Sequence, residues 1–387
     1  MLSPPALALT GLAGVCVLAA CAYVVPASIH HRSHRGVAHI PLSEYLSFDA
    51  RVRWQSLLLW ASGVSSALEI LPDVDTVAPN VVRVLGQNPS RMTLRGTNTF
   101  LVGSGDKRIL IDASDGNRKY METLLRMCRE AGVNEITDVL LTHGHIDHIG
   151  GILRVKEAFP NVRVWKYLPA NDSTLRISNA ECALLGVTHL QDGAEFAVPS
   201  DRVNGSPSHA VIRAVYTPGH YNDHMCFFLE DRTTDSGSRA LFSGDCVLGS
   251  GSCVFDSLRE LMASLALLQA QNPSVIFPGH GPVVQDAQGK IREYISHREQ
   301  REGEVLSALQ TAAKENSSSS ASESSSSSAE LSAAQIVNRI YPKLPFALQL
   351  AARKAVEKHL VKLLLDQLVV KTPAGWLVPA KYRLAHL

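Results

Sequence analysis

The chain carries no surplus of either charge: 37 Lys and Arg stand against 36 Asp and Glu over 387 residues, a formal balance of +1. Near-neutrality removes any global argument for a polyanionic partner and leaves only local concentrations of charge to read. Cysteine is sparse as well. The seven stand at 16, 21, 128, 182, 226, 246 and 253, with no Cys-x-x-Cys pair, which excludes a disulfide scaffold and points to a reducing compartment. Aromatic residues make up 6% and form no visible motif of the kind that stacks single-stranded RNA bases.

What is present is the balance of a globular chain, 45% hydrophobic and 19% charged, long enough for one large or two ordinary domains. Residues 6–25, "ALALTGLAGVCVLAACAYVV", carry no charge and are long enough as a helix to span a bilayer core of about 30 Å. Arg32 and Arg35 follow, with no acid before Glu44, so positive-inside bias predicts a single-pass anchor with a cytosolic catalytic body. A cleaved signal is disfavoured because no basic residue precedes the apolar run; the mitochondrial matrix is the alternative location. Between Ser43 and Ile70 apolar residues recur at helical spacing, which reads as an amphipathic helix with one face packed on the body.

From Asn80 the texture turns to short β-rich runs, "VVRVL", "NTFLVG", "RILIDA", "VRVWKYL", "AVIRAVYT", "CFFLE", "ALFSGD" and "SVIFPGH", alternating with helical patterns such as "RKYMETLLRMCREAG". Mixed strands and helices predict layered α/β sheets over residues 80–310, after an N-terminal extension of residues 1–79. Ten of the twelve residues at 317–328 are serine, which predicts a disordered linker over 311–330. Beyond it, two helices and a hairpin around Ala374-Gly375 predict a small winged-helix-like module at 331–387; Ala352, Ala355, His359 and Leu363 fall on one stripe of the second helix. That module holds nine Lys and Arg against Glu357 and Asp366, a local balance of +7.

The chemistry is concentrated in "LLTHGHIDHIGG", residues 140–151, where His143, His145, Asp147 and His148 follow a buried strand on one short connection. Further along, His220 follows "AVYTPG", Asp245 follows "ALFSG" and His280 follows "SVIFPG". Each stands at a strand end beside glycine, which lets backbone approach a metal or substrate closely. Five imidazoles and two carboxylates exceed what one tetrahedral zinc needs and fit two ions, with room for water. Imidazole dominance favours two Zn2+, with Mn2+ or Fe as alternatives.

The His-x-His-x-Asp-His series with downstream His, Asp and His resembles the ligand series of the metallo-β-lactamase-fold hydrolases, which have an αββα sandwich. That resemblance implies a first metal on His143, His145 and His220, a second on Asp147, His148 and His280, and Asp245 bridging them. It also implies that Asp112 orients the ligand loop, although Ala113-Ser114 replaces the family's usual Thr-Gly. Retention of Asp245 is expected of members acting on phosphodiesters or thioesters rather than on antibiotics. The stretches "VVRVLGQNPSRMTLRGTNTFLVG", "GDCVLGSGSCVFDSL" and "YISHREQRE" are similar to the mitochondrial β-lactamase-like endoribonuclease group.

The resulting expectation is a two-metal hydrolase that cleaves single-stranded RNA, with Lys354, Lys358, Lys362 and Lys371 holding phosphates. The alternative is a thioesterase of glyoxalase II or acyl-carrier-protein type. Asp147 or Asp245 would orient the attacking water. His224 is open to two readings, substrate contact or a hydrogen bond at the loop base. Cys246 reads as a buried core cysteine.

Overall fold

The computed structural model describes residues 42–61, 63, 66–173, 175–200, 210–231, 239–319, 330–374 and 379–385. The apolar segment 6–25 lies outside them. Among the described residues no helix is long and apolar enough to cross a membrane, so the expected single-pass anchor finds no support among them.

Among the described residues the strands form three sheets. The first sets β1 (Val74–Ala78), β2 (Val81–Leu85), β3 (Asn98–Val102), β4 (Lys107–Ile111), β5 (Glu135–Leu140), β6 (Arg163–Lys166) and β7 (Val187–His189) side by side in chain order. Pairing is antiparallel as far as β4 and parallel from there on. The second holds β8 (Glu195–Ala197), β9 (Ala210–Tyr216), β10 (Met225–Asp231), β11 (Arg239–Gly244) and β12 (Val275–Pro278), in the order β12-β11-β10-β9-β8. The third is small: β13 (Leu331–Ser332), β14 (Val369–Thr372) and β15 (Lys381–Leu384).

Strand alternation builds the layers. In β3 and β4, Phe100, Val102, Ile109 and Ile111 join the core between the two large sheets, while Leu101 and Leu110 enter the core on the opposite face. Phe227, Phe242 and Phe277 of the second sheet meet the first across that interior, and the Phe100, Phe242 and Phe277 centroids stand 5.2–5.6 Å apart. Burying a side chain of this kind stabilises the fold by about 1.5–3 kcal/mol.

Helices close both outer faces. On the first sheet lie α1 (Leu42–Ala61), which inserts Phe48 and Val52, and α2 (Arg118–Glu130), which buries Tyr120, Leu124 and Met127. The Asn117 side chain starts α2 by accepting from the Tyr120 N–H. Two short helices, α3 (Ile146–Ile149) and α4 (Ile152–Ala158), follow β5, and α5 (Asn179–Leu184) begins with a Ser178–Glu181 capping box. On the second sheet, α6 (Leu258–Ala270) buries Leu258, Leu261, Leu265 and Leu268 beside Ile291 and Tyr294 of α7 (Ala287–Ser319). The arrangement is the expected αββα sandwich.

A fourth core joins the far half of α7, through Val305, Leu309 and Ala312, to α8 (Ala333–Ile340), α9 (Phe346–Leu365) and the β14–β15 hairpin, forming the winged module. Here α7 stays helical through residues 311–319, which the sequence reading gave to the linker. The inward stripe of α9 also differs from expectation: Val356, His359, Leu360 and Leu363 are buried, whereas Ala355 is exposed.

Candidate metal centre

The backbone delivers each candidate donor from the end of a strand. Asp112 follows β4; His143 to His148 lie on the β5–α3 connection and in α3; His220, Asp245 and His280 follow β9, β11 and β12. Asp112 adopts φ 59°, a left-handed conformation that an aspartate tolerates better than most residues. In that pose Oδ1 accepts from the Thr142 N–H at 2.8 Å, while Oδ2 lies 2.7 Å from His148 Nδ1.

All seven expected donors come together, in two groups. His143 Nε2 and His220 Nε2 lie 2.8 and 3.2 Å from His145 Nδ1. Asp245 Oδ2 completes this group at 3.6 Å from His220 Nε2 and 4.0 Å from His143 Nε2. In the other group Asp147 Oδ2 lies 3.3 Å from His148 Nε2 and 3.2 Å from His280 Nε2. Asp245 Oδ1 faces the same two nitrogens at 3.5 and 3.3 Å.

The donor chemistry fits a cation in each group. His220 Nδ1 donates to the Val254 carbonyl at 2.6 Å and His148 Nδ1 donates to Asp112, so in the neutral tautomer both Nε2 atoms turn lone pairs inward. Zinc with ligands at about 2.0–2.2 Å separates tetrahedral donors by roughly 3.3–3.6 Å, close to most spacings found here. Asp245 Oδ1 is buried and accepts no hydrogen bond. Such an orphaned carboxylate oxygen is costly unless a positive centre faces it.

Electrostatics separate the groups. Burial, then the crowd of neighbouring imidazoles, pushes His143 well down and His145 down to about 3, so both are neutral lone-pair donors. Burial also opposes charge on His148 and His280, yet the carboxylates facing them win, lifting His148 well up and His280 to about 9. Asp147 and Asp245 are held well below the usual carboxylate range, because those imidazoles outweigh burial. The second group therefore attracts positive charge, and a divalent ion and protons compete for it.

His224 makes hydrogen bonds at the loop base. It is fully buried, its Nε2 accepts from the Asp245 backbone N–H at 3.1 Å, and its Nδ1 donates to Thr217 Oγ1 at 3.0 Å. Both ring nitrogens are engaged by the protein itself, and the ring holds the corner carrying Asp245. Close approach explains two glycines there: a Cβ on Gly244 would stand 2.7 Å from His224 Nε2, and one on Gly279 2.5 Å from Asp245 Oδ1.

Sequence reasoning missed two contributors. Asn98 donates through Nδ2 to the Pro278 and Gly281 carbonyls, at 2.9 and 2.8 Å, and so fixes the turn bearing His280. Thr97 Oγ1 donates to Asp147 at 3.1 Å. Their signal was a polar Thr-Asn-Thr run at the head of an otherwise apolar strand. Cys246 is buried as expected, with a thiol raised by its contact with Cys226 and by desolvation.

Two of the four lysines expected to hold phosphate are engaged within the chain. Lys362 Nζ lies 2.8 Å from both Glu302 and Asp366, and Lys358 Nζ donates to the Phe255 carbonyl. Lys354 and Lys371 are exposed.

A family model described as the metallo-beta-lactamase superfamily matches residues 92–280, and one described as a beta-lactamase associated winged helix domain matches residues 332–376. The chain belongs to the metallo-beta-lactamase superfamily. It is 36% identical over 318 residues to the lactamase-like protein adaB of Aspergillus niger, covering 82% of this chain and 89% of that one. It is 37% identical over 302 residues to the beta-lactamase-like protein 2 homolog of Drosophila melanogaster, covering 76% and 91%. An atrochrysone carboxyl ACP thioesterase of Aspergillus fumigatus is 36% identical over 279 residues, covering 71% and 78%. A beta-lactamase domain protein from Burkholderia ambifaria shares the fold, with a TM-score of 0.59 at 21% identity over 82% of this chain and 96% of that one.

Proposed function

We propose that this chain is a binuclear zinc hydrolase acting on a carrier-bound acyl thioester, its catalytic body in residues 80–310 and its winged module in residues 331–387. The observation that carries the metal reading is Asp245, whose two oxygens face two separate donor groups. On this reading His143, His145 and His220 hold one ion, Asp147, His148 and His280 the other, and Asp245 joins them. The thioester is supported by two relatives, in Aspergillus fumigatus and Aspergillus novofumigatus, both named as atrochrysone carboxyl ACP thioesterases.

Bound zinc supplies Lewis-acid polarisation of the substrate carbonyl and brings water activation to near neutral pH. The chain supplies the rest. Asp147, kept ionised by its imidazole neighbours and held by Thr97, would orient the attacking water, whose proton passes to solvent. His224 holds the Asp245 backbone so that its carboxylate does not swing. A thiol with a pKa of about 8.5 leaves readily as the thiolate, so no protein acid is required. Nor is a protein nucleophile, and the nearby Cys246 stays a thiol.

A second reading, cleavage of single-stranded RNA, is favoured by the +7 balance of residues 331–387, where Lys354 and Lys371 are exposed. The full-length zinc-loaded protein, offered an acyl-pantetheine thioester and labelled single-stranded RNA in parallel, should hydrolyse the thioester and leave the RNA intact. Chelator-sensitive RNA cleavage with an intact thioester replaces the substrate assignment. Full metal load and unchanged turnover in Asp245→Ala sinks the binuclear reading itself.

A further inference from the structure

Two stretches singled out in the sequence, "GDCVLGSGSCVFDSL" and "YISHREQRE", face each other. Helix α7 presents Tyr294 and, one turn on, Arg298 to the segment between the Asp245 corner and α6. The Tyr294 hydroxyl accepts from the Leu248 N–H at 3.0 Å and donates to the Gly251 carbonyl at 3.1 Å. Arg298 donates through Nη2 to Ser252 Oγ at 2.6 Å and to the Cys253 carbonyl at 3.1 Å. Its guanidinium carbon lies 4.9 Å from the Phe255 ring centroid.

Arg298 is buried, makes no salt bridge among the described residues, and has an Nε with no hydrogen-bond partner. A buried guanidinium compensated by one carbonyl, a hydroxyl, the His297 Nδ1 at 3.1 Å and ring faces, with no carboxylate, is costly to keep. What it holds is a segment that touches the metal centre. The Val254 carbonyl accepts from His220 Nδ1 at 2.6 Å, and the Asp256 and Ser257 N–H groups donate to the Gly219 carbonyl at 2.8 and 3.1 Å. The winged module grips the same segment: Lys358 of α9 donates to the Phe255 carbonyl, lies 5.1 Å from its ring centroid and 3.7 Å from Asp256.

We propose that Arg298 and Lys358 are positioning residues for His220, and that through them the winged module sets the metal affinity of the first donor group. The pair fixes residues 252–256, whose Val254 carbonyl keeps the His220 proton on Nδ1 and its Nε2 lone pair turned inward. A ligand whose outer partner wanders loses affinity: removing a direct outer partner typically costs 10–100-fold. Arg298 and Lys358 act one layer further out, so a loss of about three- to tenfold follows. The inference rests on the metal reading above.

The test uses the full-length chain loaded with Zn2+, and separately with Co2+. Zinc affinity is read by competition with a chelating dye, geometry by the Co2+ visible bands, and kcat and KM on whichever of the two substrates the parallel assay shows to be turned over. Lys358→Met and Arg298→Met should each weaken one of the two zinc ions about three- to tenfold, shift the Co2+ bands and lower kcat with KM unchanged. Arg298→Lys should recover part of the loss. Leu360→Ala, in the module core and away from the segment, should lower Tm and leave zinc affinity unchanged. Wild-type zinc affinity and Co2+ bands in both Met variants overturn the inference and leave the metal reading standing. If Arg298→Met does not fold, Lys358→Met decides alone. A loss in Leu360→Ala equal to that in Lys358→Met also overturns it, since the effect is then general loosening. Failure of the wild type to bind zinc removes both.

Discussion

Lys166 Nζ lies 2.5 Å from Asp223 Oδ2, and neither side chain has any exposed surface. The pair joins the end of β6 to the loop that carries His220, directly beneath the His143–His148 connection. A Cβ on Gly144 would stand 2.8 Å from Asp223 Oδ2 and 3.2 Å from Lys166 Cε. Neither Asp223 oxygen accepts a well-aligned hydrogen bond, so charge attraction at short range holds the contact.

Removing one partner strands the other charge. Lys166→Met or Asp223→Leu alone should destabilise the chain by about 3–5 kcal/mol in urea unfolding, whereas the double variant should come within about 1 kcal/mol of wild type or exceed it. Additive losses in the double variant would show that the pair is not the energetic unit claimed.

The Asp112–His148 contact predicts a different outcome, one read in metal rather than in stability. Asp112→Asn keeps a residue that tolerates the left-handed backbone but weakens the acceptor facing His148 Nδ1. Zinc affinity at the second donor group should fall about 10–100-fold, with a stability loss of only about 1–3 kcal/mol. Unchanged zinc titration in this variant would falsify the orienting role.

His359 carries a pH dependence. Burial, then the positive charges of Arg298 and Lys362, pushes it down to about 4 from 6.5. Glu302 stands 4.0 Å from Nδ1, too far to hydrogen-bond, and Nδ1 has no partner, so the ring is neutral in the fold and the contact is no ion pair at pH 7. The unfolded chain takes up a proton below pH 6.5 while the folded chain resists until about pH 4. The associated stability is thus complete above 6.5 and lost as the pH falls toward 4, by about 3 kcal/mol in all. With chelator present throughout, His359→Phe should flatten that part of the stability–pH curve relative to wild type; identical slopes dispose of the claim.

Much of this architecture was legible because its signals are periodic. β2 coincides with "VVRVL", and β9, β11 and β12 were visible as β-branched or aromatic runs leading into glycine, with β5 visible as the apolar run before His143. β7 and β8 were not, since three residues each, mostly exposed, give no period to read. The outward turn of Ala355 reflects packing of α9 against α7 and α8, which a short stripe of small residues cannot anticipate. Lys166 was readable in principle: it shares the inward face of "VRVWKYL" with Val162 and Val164, an unusual position for a lysine without a buried anion. Its partner stands 57 residues away on another sheet's loop, so no local pattern could name it.

The two donor groups also draw on both halves of the sandwich. His143, His145, Asp147 and His148 arrive with the first sheet; His220, Asp245 and His280 arrive only with the second. A nascent chain that has made only the first half carries four donors on one connection and lacks three. It can bind ions loosely, but neither group can close. On the binuclear reading, metal uptake becomes a late event, gated by the docking of one sheet on the other, and the ion a measure of whether the chain has finished folding.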